Sequence, residues 1–153
     1  MNIRKLSKFE RPLTAEELQQ AERHIGLQLP EEYRQFLLQH NGGHPEPCAF
    51  KYTCDQQQWK LAAVAYFLAV YEGEHENFLE YFEDYQGRIP AETVPVARDP
   101  GGNLILLGVS GAHTEKVYFW LQDFENEEGN FSNVCFIANS FSEFLNSLSD
   151  PDA

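Results

Sequence analysis

A chain of 153 residues is long enough for one domain with a sizeable core, and its 12 Phe, 7 Tyr and 2 Trp predict that the core is aromatic. Its 24 Asp and Glu outnumber its 11 Lys and Arg, and this net charge of −13 disfavours direct nucleic-acid binding and favours a basic partner. Three cysteines at no recognised spacing, and a start without an apolar leader, predict a reduced, cytoplasmic protein without a membrane anchor.

The first predicted helix follows a basic segment, residues 1–11, which fits either a loose arm or a short leading helix. Thr14 and Glu17 have the spacing of a capping box, in which each side chain accepts a hydrogen bond from the other residue's backbone N–H. Gly26 provides the left-handed residue that commonly ends a helix. We therefore predict a helix that ends near Ile25.

A second helix and then a change to strands are predicted next. Pro30 fits the first position of a helix, where its missing N–H has no partner, and Asn41-Gly42 ends the helix. Residues 50–53 fit a short strand. Residues 61–71 are apolar on both faces, which fits a central covered strand or a buried helix, and we favour the strand.

The second half of the chain alternates between helical and strand patterns. Residues 76–85 predict an amphipathic helix with an acidic outer face. A strand at 94–97 leads through a Gly-rich turn into two β-rich runs, 104–109 and 116–121, which predict a hairpin, and 134–137 adds another strand.

A second capping box closes the predicted fold. Ser140 with Glu143 starts an amphipathic helix that ends before Pro151. The elements together predict an α+β fold, in which an antiparallel or mixed sheet of about four to six strands is flanked by two N-terminal helices, a middle helix and a C-terminal helix. We divide the chain into an N-terminal arm (1–11), a single domain (12–149) and a C-terminal tail (150–153).

Metal-binding side chains occur near one predicted turn but lack a recognised spacing. His40, His44, Cys48 and Cys54 are all ligands that zinc accepts, and a tetrahedral site formed by them is the alternative. We expect instead that His40 lies at a helix end, that His44 lies in a loop and that both thiols are small apolar side chains. No metal is predicted.

Catalytic groups are equally sparse. A hydrolase formed by Asp99, His113 and Ser110 requires their loops to share one end of the sheet, and Ser110 lacks the sequence of a nucleophile elbow. We expect Asp99 to form an Asx-type turn that lets Gly101 and Gly102 reverse the chain. These glycines also lack the further glycine, lysine and helix of a phosphate loop. The sequence predicts neither an enzyme nor a cofactor.

An ordered set of motifs covers nearly the whole chain. Its residues are Leu29, Pro30, Tyr33, Asn41, Gly42, Gly43, Asp99, Gly102, Asn103, Tyr118, Trp120, Phe141 and Phe144. The set resembles the SUKH superfamily (Smi/Knr-like proteins), which groups fungal cell-wall-assembly regulators with bacterial immunity proteins; residues 61–85 match it only loosely. The resemblance implies an α+β fold without enzymatic activity or cofactor. Many bacterial relatives resemble immunity proteins that bind and neutralise a cognate toxin, commonly a nuclease, and the resemblance implies the same kind of function here.

The charge distribution suggests where such a partner binds. Residues 72–128 contain thirteen carboxylates and three cations, so they account for −10 of the net charge. A basic toxin domain is attracted to such a surface, although charged faces are often simply solvated. The predicted partner-binding residues are Glu72, Glu74, Glu76, Glu80, Glu83, Asp84, Trp120, Asp123, Glu125, Glu127 and Glu128.

Aromatic residues next to these acids are candidates for the centre of an interface. Tyr118, Phe119 and Trp120 alternate between the two faces of a predicted strand, and most such residues belong to the core. One of them, if exposed beside residues 123–128, would be a binding hot spot. The alternative function is that of a regulatory or scaffolding adaptor of the same fold that binds a cellular protein.

Overall fold

The computed structural model describes residues 1–151 and confirms the α+β class. The predicted tail at 150–153 is therefore described only as far as Pro151, and the rest of it lies outside the described residues. The helices are Ala15–Ile25 (α1), Glu31–Gln39 (α2), Phe78–Asp84 (α3) and Phe141–Ser147 (α4). The strands are Lys5–Ser7 (β1), His44–Glu46 (β2), Ala49–Thr53 (β3), Trp59–Ala63 (β4), Tyr66–Phe67 (β5), Thr93–Arg98 (β6), Leu104–Gly108 (β7), Val117–Trp120 (β8) and Val134–Ala138 (β9).

The helix ends follow the predicted capping signals. At the start of α1, Thr14 and Glu17 form both hydrogen bonds of the capping box, and Gly26 ends the helix with a φ of 79°. Ser140 accepts a hydrogen bond from the N–H of Glu143 at the start of α4. Pro30 immediately precedes the first residue of α2 instead of occupying it, a difference of one position.

The main sheet is larger than predicted. It has seven strands, in the order β4-β3-β9-β8-β7-β6-β5, and every neighbouring pair is antiparallel. The prediction of about four to six strands is wrong because the single run 61–71 contributes to two of them. Strands β1 and β2 form a separate small sheet.

Strands β4 and β5 follow each other in the chain but lie at opposite edges of the main sheet, so the sheet curls until its edges approach. The backbone N–H of Val64 donates to the carbonyl oxygen of Cys48, beside β3. The next N–H, that of Ala65, donates to the carbonyl oxygen of Arg98 in β6. The predicted strand conformation is thus correct, and the predicted central position is wrong. The run is apolar because Val64 and Phe67 are buried where the two edges meet.

The N-terminal segment forms neither of the two structures that its sequence left open. Its residues Lys5–Ser7 pair with His44–Glu46, and Leu6 lies opposite Pro45. His44 is therefore in a strand and not in a loop, and its ring Nδ1 is 2.7 Å from the carbonyl oxygen of Ala65. The pairing ties the arm to the segment that follows α2.

Aromatic rings fill the interior between the sheet and the helices. Phe50 of β3 meets Phe119 of β8 edge to face, with 5.2 Å between ring centroids, and meets Phe144 of α4 at 5.7 Å. A smaller cluster on the other face of the sheet includes Leu106 and Trp120. None of the helices in the described part of the chain is both long enough and apolar enough to cross a bilayer.

Two of the three cysteines form a disulfide bond, which corrects the expectation of a reduced chain with thiols as apolar side chains. Thr53 of β3 lies opposite Phe136 of β9, so the next residues outward, Cys54 and Cys135, also face each other. Cys48 is a free, half-buried thiol. Within residues 1–151, no three His, Cys, Asp or Glu side chains are grouped so that they could hold a metal ion.

Candidate partner-binding surface

Most of the predicted partner-binding carboxylates are exposed. The exposed ones are Glu72, Glu74, Glu80, Glu83, Asp84, Asp123, Glu127 and Glu128. Glu76 and Glu125 are half-buried, and each forms an ion pair with an arginine, at 2.7 Å with Arg98 and at 2.8 Å with Arg88. The charge of each of these two carboxylates is therefore balanced by its arginine. Their main effect is to hold neighbouring chain segments together, and they add little net negative charge to the surface.

Trp120 does not belong to this surface, because its side chain is completely buried. The ring of Tyr85 packs edge to face on it, with 5.5 Å between centroids, and the Arg88 guanidinium lies 6.0 Å from its ring. Tyr118 and Phe119 are also buried. Strand alternation predicts that Trp120 faces away from Phe119, but it cannot show that side chains from the turn after α3 cover that face.

Phe124 is the exposed aromatic residue that the sequence reasoning missed. Its side chain is 69% exposed, and it ends a short 3-10 turn, Gln122–Phe124, directly after β8. Its exposure could have been predicted from the sequence, because Phe124 lies between Asp123 and Glu125 in a segment without strand or helix periodicity. An exposed aromatic side chain among carboxylates is the arrangement that the sequence predicted for a hot spot, on a different residue.

The loop that carries Phe124 is fixed by its own side chains. The Oδ1 atom of Asn126 accepts hydrogen bonds from the N–H groups of Glu128 (2.8 Å) and Gly129 (3.1 Å). Its Nδ2 atom donates to Asn130 Oδ1 (3.0 Å) and Ser132 Oγ (2.6 Å). A loop that is ordered before binding loses little conformational entropy when a partner docks.

An ion pair connects this loop to the chain segment after α3. Arg88 donates two hydrogen bonds to the carboxylate of Glu125, at 2.8 and 3.0 Å, and its guanidinium stacks 4.3 Å from the ring centroid of Tyr85. The hydrogen bonds from Arg88 lower the pKa of Glu125, which therefore keeps its charge. The two acidic segments are thus neighbours at this point.

A cleft of about 340 Å³ lies between the same elements. Phe82 and Gln86 line it from α3 and its exit, Ile25 and Leu27 from the end of α1, and Glu128 from the acidic loop. We use the name acidic surface for the region formed by Asp84, Asp123, Phe124, Glu125, Glu127 and Glu128.

The other predicted acids do not all join the acidic surface. Glu83 Oε1 lies 2.6 Å from the ring Nε2 of His24 of α1, within hydrogen-bond distance. Glu72 lies close enough to Arg11 to help raise the pKa of that guanidinium, after the larger effects of Glu17. The structure therefore brings together the end of α3 and the 123–128 loop, and it places Glu72 beside the basic N-terminal segment.

The Asp99 turn supports the base of the acidic loop. Asp99 Oδ1 accepts hydrogen bonds from the N–H groups of Gly101 (2.9 Å) and Asn103 (2.7 Å), and Oδ2 accepts one from Asn103 Nδ2 (2.8 Å). Asn103 Oδ1 in turn accepts the N–H of Gln122 at 2.9 Å. The turn is an Asx-type turn, and it is connected by hydrogen bonds to the residues that present Phe124.

The hydrolase arrangement is not assembled. Asp99 precedes β7 and His113 follows it, so the two residues lie at opposite ends of that strand. The His113 ring is stacked on Phe131, with 4.2 Å between centroids, and its Nδ1 lies 2.8 Å from the hydroxyl of Tyr118. The loops of Asp99 and His113 therefore do not share one end of the sheet, which the hydrolase alternative requires.

The Asn41-Gly42-Gly43 motif joins the end of α2 to the segment after β5. Asn41 Nδ2 donates to the carbonyl oxygens of Arg11 (3.0 Å) and Val70 (2.9 Å), and its Oδ1 accepts the N–H of Val70 (2.9 Å). Gly42 has a φ of 82°, and a Cβ atom there would lie 2.7 Å from the Cβ of Ala69. The motif therefore connects the end of α2 to the N-terminal segment and to the segment after β5.

Replacing Asp99 by asparagine should lower the free energy of unfolding by about 1.5–3 kcal/mol. The variant keeps one carbonyl oxygen for the backbone N–H groups but places an NH₂ group against the NH₂ group of Asn103. Urea unfolding measures the loss. Asp123→Asn, at an exposed carboxylate of the same loop system, is the matched control and should change stability by no more than about 0.5 kcal/mol. Equal stabilities of the two variants would contradict the role assigned to the turn.

Comparison with known proteins identifies a matching family and a similar protein. The model of the SMI1 / KNR4 family (SUKH-1) matches residues 12–147. The chain is also similar to the SPbeta prophage-derived uncharacterized protein YokK of Bacillus subtilis (strain 168), with 29% identity over 156 residues; the match spans 90% of this chain and 75% of the relative.

Proposed function

This chain belongs to the SMI1 / KNR4 family (SUKH-1), and we propose that it is an immunity-type protein that binds and neutralises a cognate, basic toxin domain of the nuclease type. Residues 12–149 form the binding domain in this proposal. The place of action is the cytoplasm, where a nuclease toxin meets its substrate.

The acidic surface is the observation that supports this proposal. Asp123, Glu127 and Glu128 are exposed, and the neighbouring cation Arg88 is already paired with Glu125. Their negative potential is therefore directed to solvent. Unpaired charge of one sign attracts a partner of the opposite sign over distances of about a Debye length and raises the association rate.

Neutralisation requires no chemistry from this chain. A nuclease binds phosphate groups through cationic side chains in a groove, and a rigid loop with several carboxylates can occupy that groove in place of the phosphates. Phe124 is exposed and lies between Asp123 and Glu125 in the chain, so it gives the loop an apolar side chain that can enter a pocket in the partner. The toxin is then blocked because its substrate cannot enter.

A protection assay tests the function directly. Cells that produce the toxin domain encoded beside this gene should survive only when this chain is produced with it, and the purified complex should lack nuclease activity. A chain carrying Lys in place of Asp123, Glu127 and Glu128 should give no protection. If a neighbouring toxin kills cells equally with and without this chain, the proposal fails. Stable binding to a non-toxic cellular protein would instead support an adaptor.

A further inference from the structure

One edge of the main sheet is open. Strand β4 pairs with β3 on one side and has no neighbour on the other side among the described residues. The opposite edge differs, because Gly43 forms a β-bridge with Phe67 of β5 and β2 packs beside that strand. The free edge therefore belongs to the five residues Trp59–Ala63.

The hydrogen-bond pattern shows which backbone groups face outward from this edge. Ala49 exchanges both of its backbone hydrogen bonds with Ser149, at 2.9 Å each, so it forms none with Ala63, the residue opposite it on β4. In an antiparallel pair the bonded and non-bonded positions alternate. The N–H and C=O groups of alternate β4 residues, at positions 59, 61 and 63, therefore point away from β3.

The first three side chains of this strand are also exposed. Trp59 is 50% exposed and Leu61 is 58% exposed, and the two lie on the same face because they are two residues apart. A free strand edge with exposed apolar side chains is a template for pairing with another strand, unless charges or proline block it. The strand contains no proline, and Lys60 is its single charged residue.

We propose that β4 pairs antiparallel with β4 of a second copy of this chain, about a two-fold axis at Leu61. In this register Leu61 lies opposite Leu61 of the second copy, and Trp59 lies opposite Ala63. These are the positions whose backbone N–H and C=O groups point outward, so the outward groups of each copy form hydrogen bonds with those of the other. The contact is isologous and closes as a dimer with a continuous sheet.

The charge distribution favours a second copy at this edge. Lys60 lies opposite Ala62 of the second copy in the proposed register, so the two lysines do not face each other. Residues 49–63 contain Lys51, Lys60 and Asp55, a net charge of +1 in a chain whose net charge is −13. Two such chains repel each other over most of their surfaces, and the repulsion is smallest where this segment meets its copy.

The dimer does not depend on the proposed function. It uses the edge strand β4, which shares a cleft with the Asp99 turn, but none of the residues of the acidic surface lines that cleft. A failed protection assay would therefore not contradict the proposed dimer. A chain that stays monomeric would not contradict the proposed immunity function.

Sedimentation equilibrium over a range of protein concentrations tests the dimer. The wild-type chain should approach twice the mass of one chain as concentration rises, whereas Leu61→Lys and Trp59→Lys should stay at the mass of one chain. Phe9→Lys, at a side chain that is 60% exposed elsewhere, is the control and should dimerise like the wild type. Circular dichroism confirms that all variants are folded. A wild-type chain that stays monomeric, or a dimer that persists in both β4 variants, would overturn the proposal.

Tryptophan fluorescence locates the contact. The chain has two tryptophans, and because Trp120 is completely buried, quenching by acrylamide reports mainly on Trp59. Quenching of the wild type should fall as the dimer forms, and quenching of Leu61→Lys should not change with concentration. If the wild type dimerises while Trp59 stays fully quenchable, the contact lies elsewhere and the proposed pairing is wrong.

Discussion

Replacing Phe124 by alanine should weaken binding to the toxin domain by about 2–4 kcal/mol, a rise in Kd of roughly 30- to 800-fold. Phe124 is 69% exposed in the free protein, and the hydrogen bonds of Asn126 and the Arg88–Glu125 ion pair fix the loop that presents it. Its apolar surface is therefore buried only when the partner binds. Most of the loss should appear as faster dissociation, because truncation leaves the steering charges in place.

Surface plasmon resonance with the immobilised toxin domain measures both rates. Phe9→Ala removes an aromatic ring of similar exposure outside the acidic surface and should leave both rates unchanged. The free energy of unfolding of Phe124→Ala should stay within about 0.5 kcal/mol of the wild type, since the ring has few contacts to lose. A Phe124→Ala chain that binds as tightly as the Phe9→Ala chain would remove Phe124 from the interface.

Loss of the Cys54–Cys135 disulfide should lower the free energy of unfolding by about 4 kcal/mol. The bond connects residues 81 positions apart, and closing so long a loop strongly restricts the unfolded chain. Urea unfolding of the oxidised wild type and of a Cys54→Ser, Cys135→Ser double variant measures the difference. Cys48→Ser, at the free thiol, is the matched control. Equal stability of the oxidised protein and the double variant would contradict the stabilising role of the bond.

A count of thiols under denaturing conditions complements this measurement. The oxidised chain should react at one thiol and the reduced chain at three, because only Cys48 is free in the structure. The proposed place of action is a reducing compartment, where such bonds are rare. The reduced chain must then retain its fold through the aromatic core that joins β3 and β8 to α4.

Local signals in the sequence predicted the helix boundaries well. Thr14, Gly26 and Ser140 act through hydrogen bonds to residues within four positions, so a short stretch of sequence contains all the information that each of them needs. The same holds for Asp99, whose hydrogen-bond partners are Gly101 and Asn103. Part of the acidic surface was predicted for a related reason, because contiguous carboxylates are visible as a run.

Features that depend on distant residues could not be read in this way. The separation of β4 and β5 to opposite edges results from the curl of the whole sheet. The burial of Trp120 requires Tyr85 and Arg88, which come from a different part of the chain. The disulfide requires the register between β3 and β9, and a register cannot be read from two strands considered separately.

The dependence of the association rate on ionic strength, measured for two charge-reversed chains, tests the central claim most directly. One chain carries Lys at Asp123, Glu127 and Glu128; the control carries Lys at Glu16, Glu46 and Glu115, three exposed acids outside the acidic surface, and so has the same net charge. Reversal of the acidic surface should slow association roughly tenfold or more at low salt and flatten the salt dependence, while the control stays much closer to the wild type. Equal rates for the two reversed chains would show that total charge, and not the acidic surface, governs recognition.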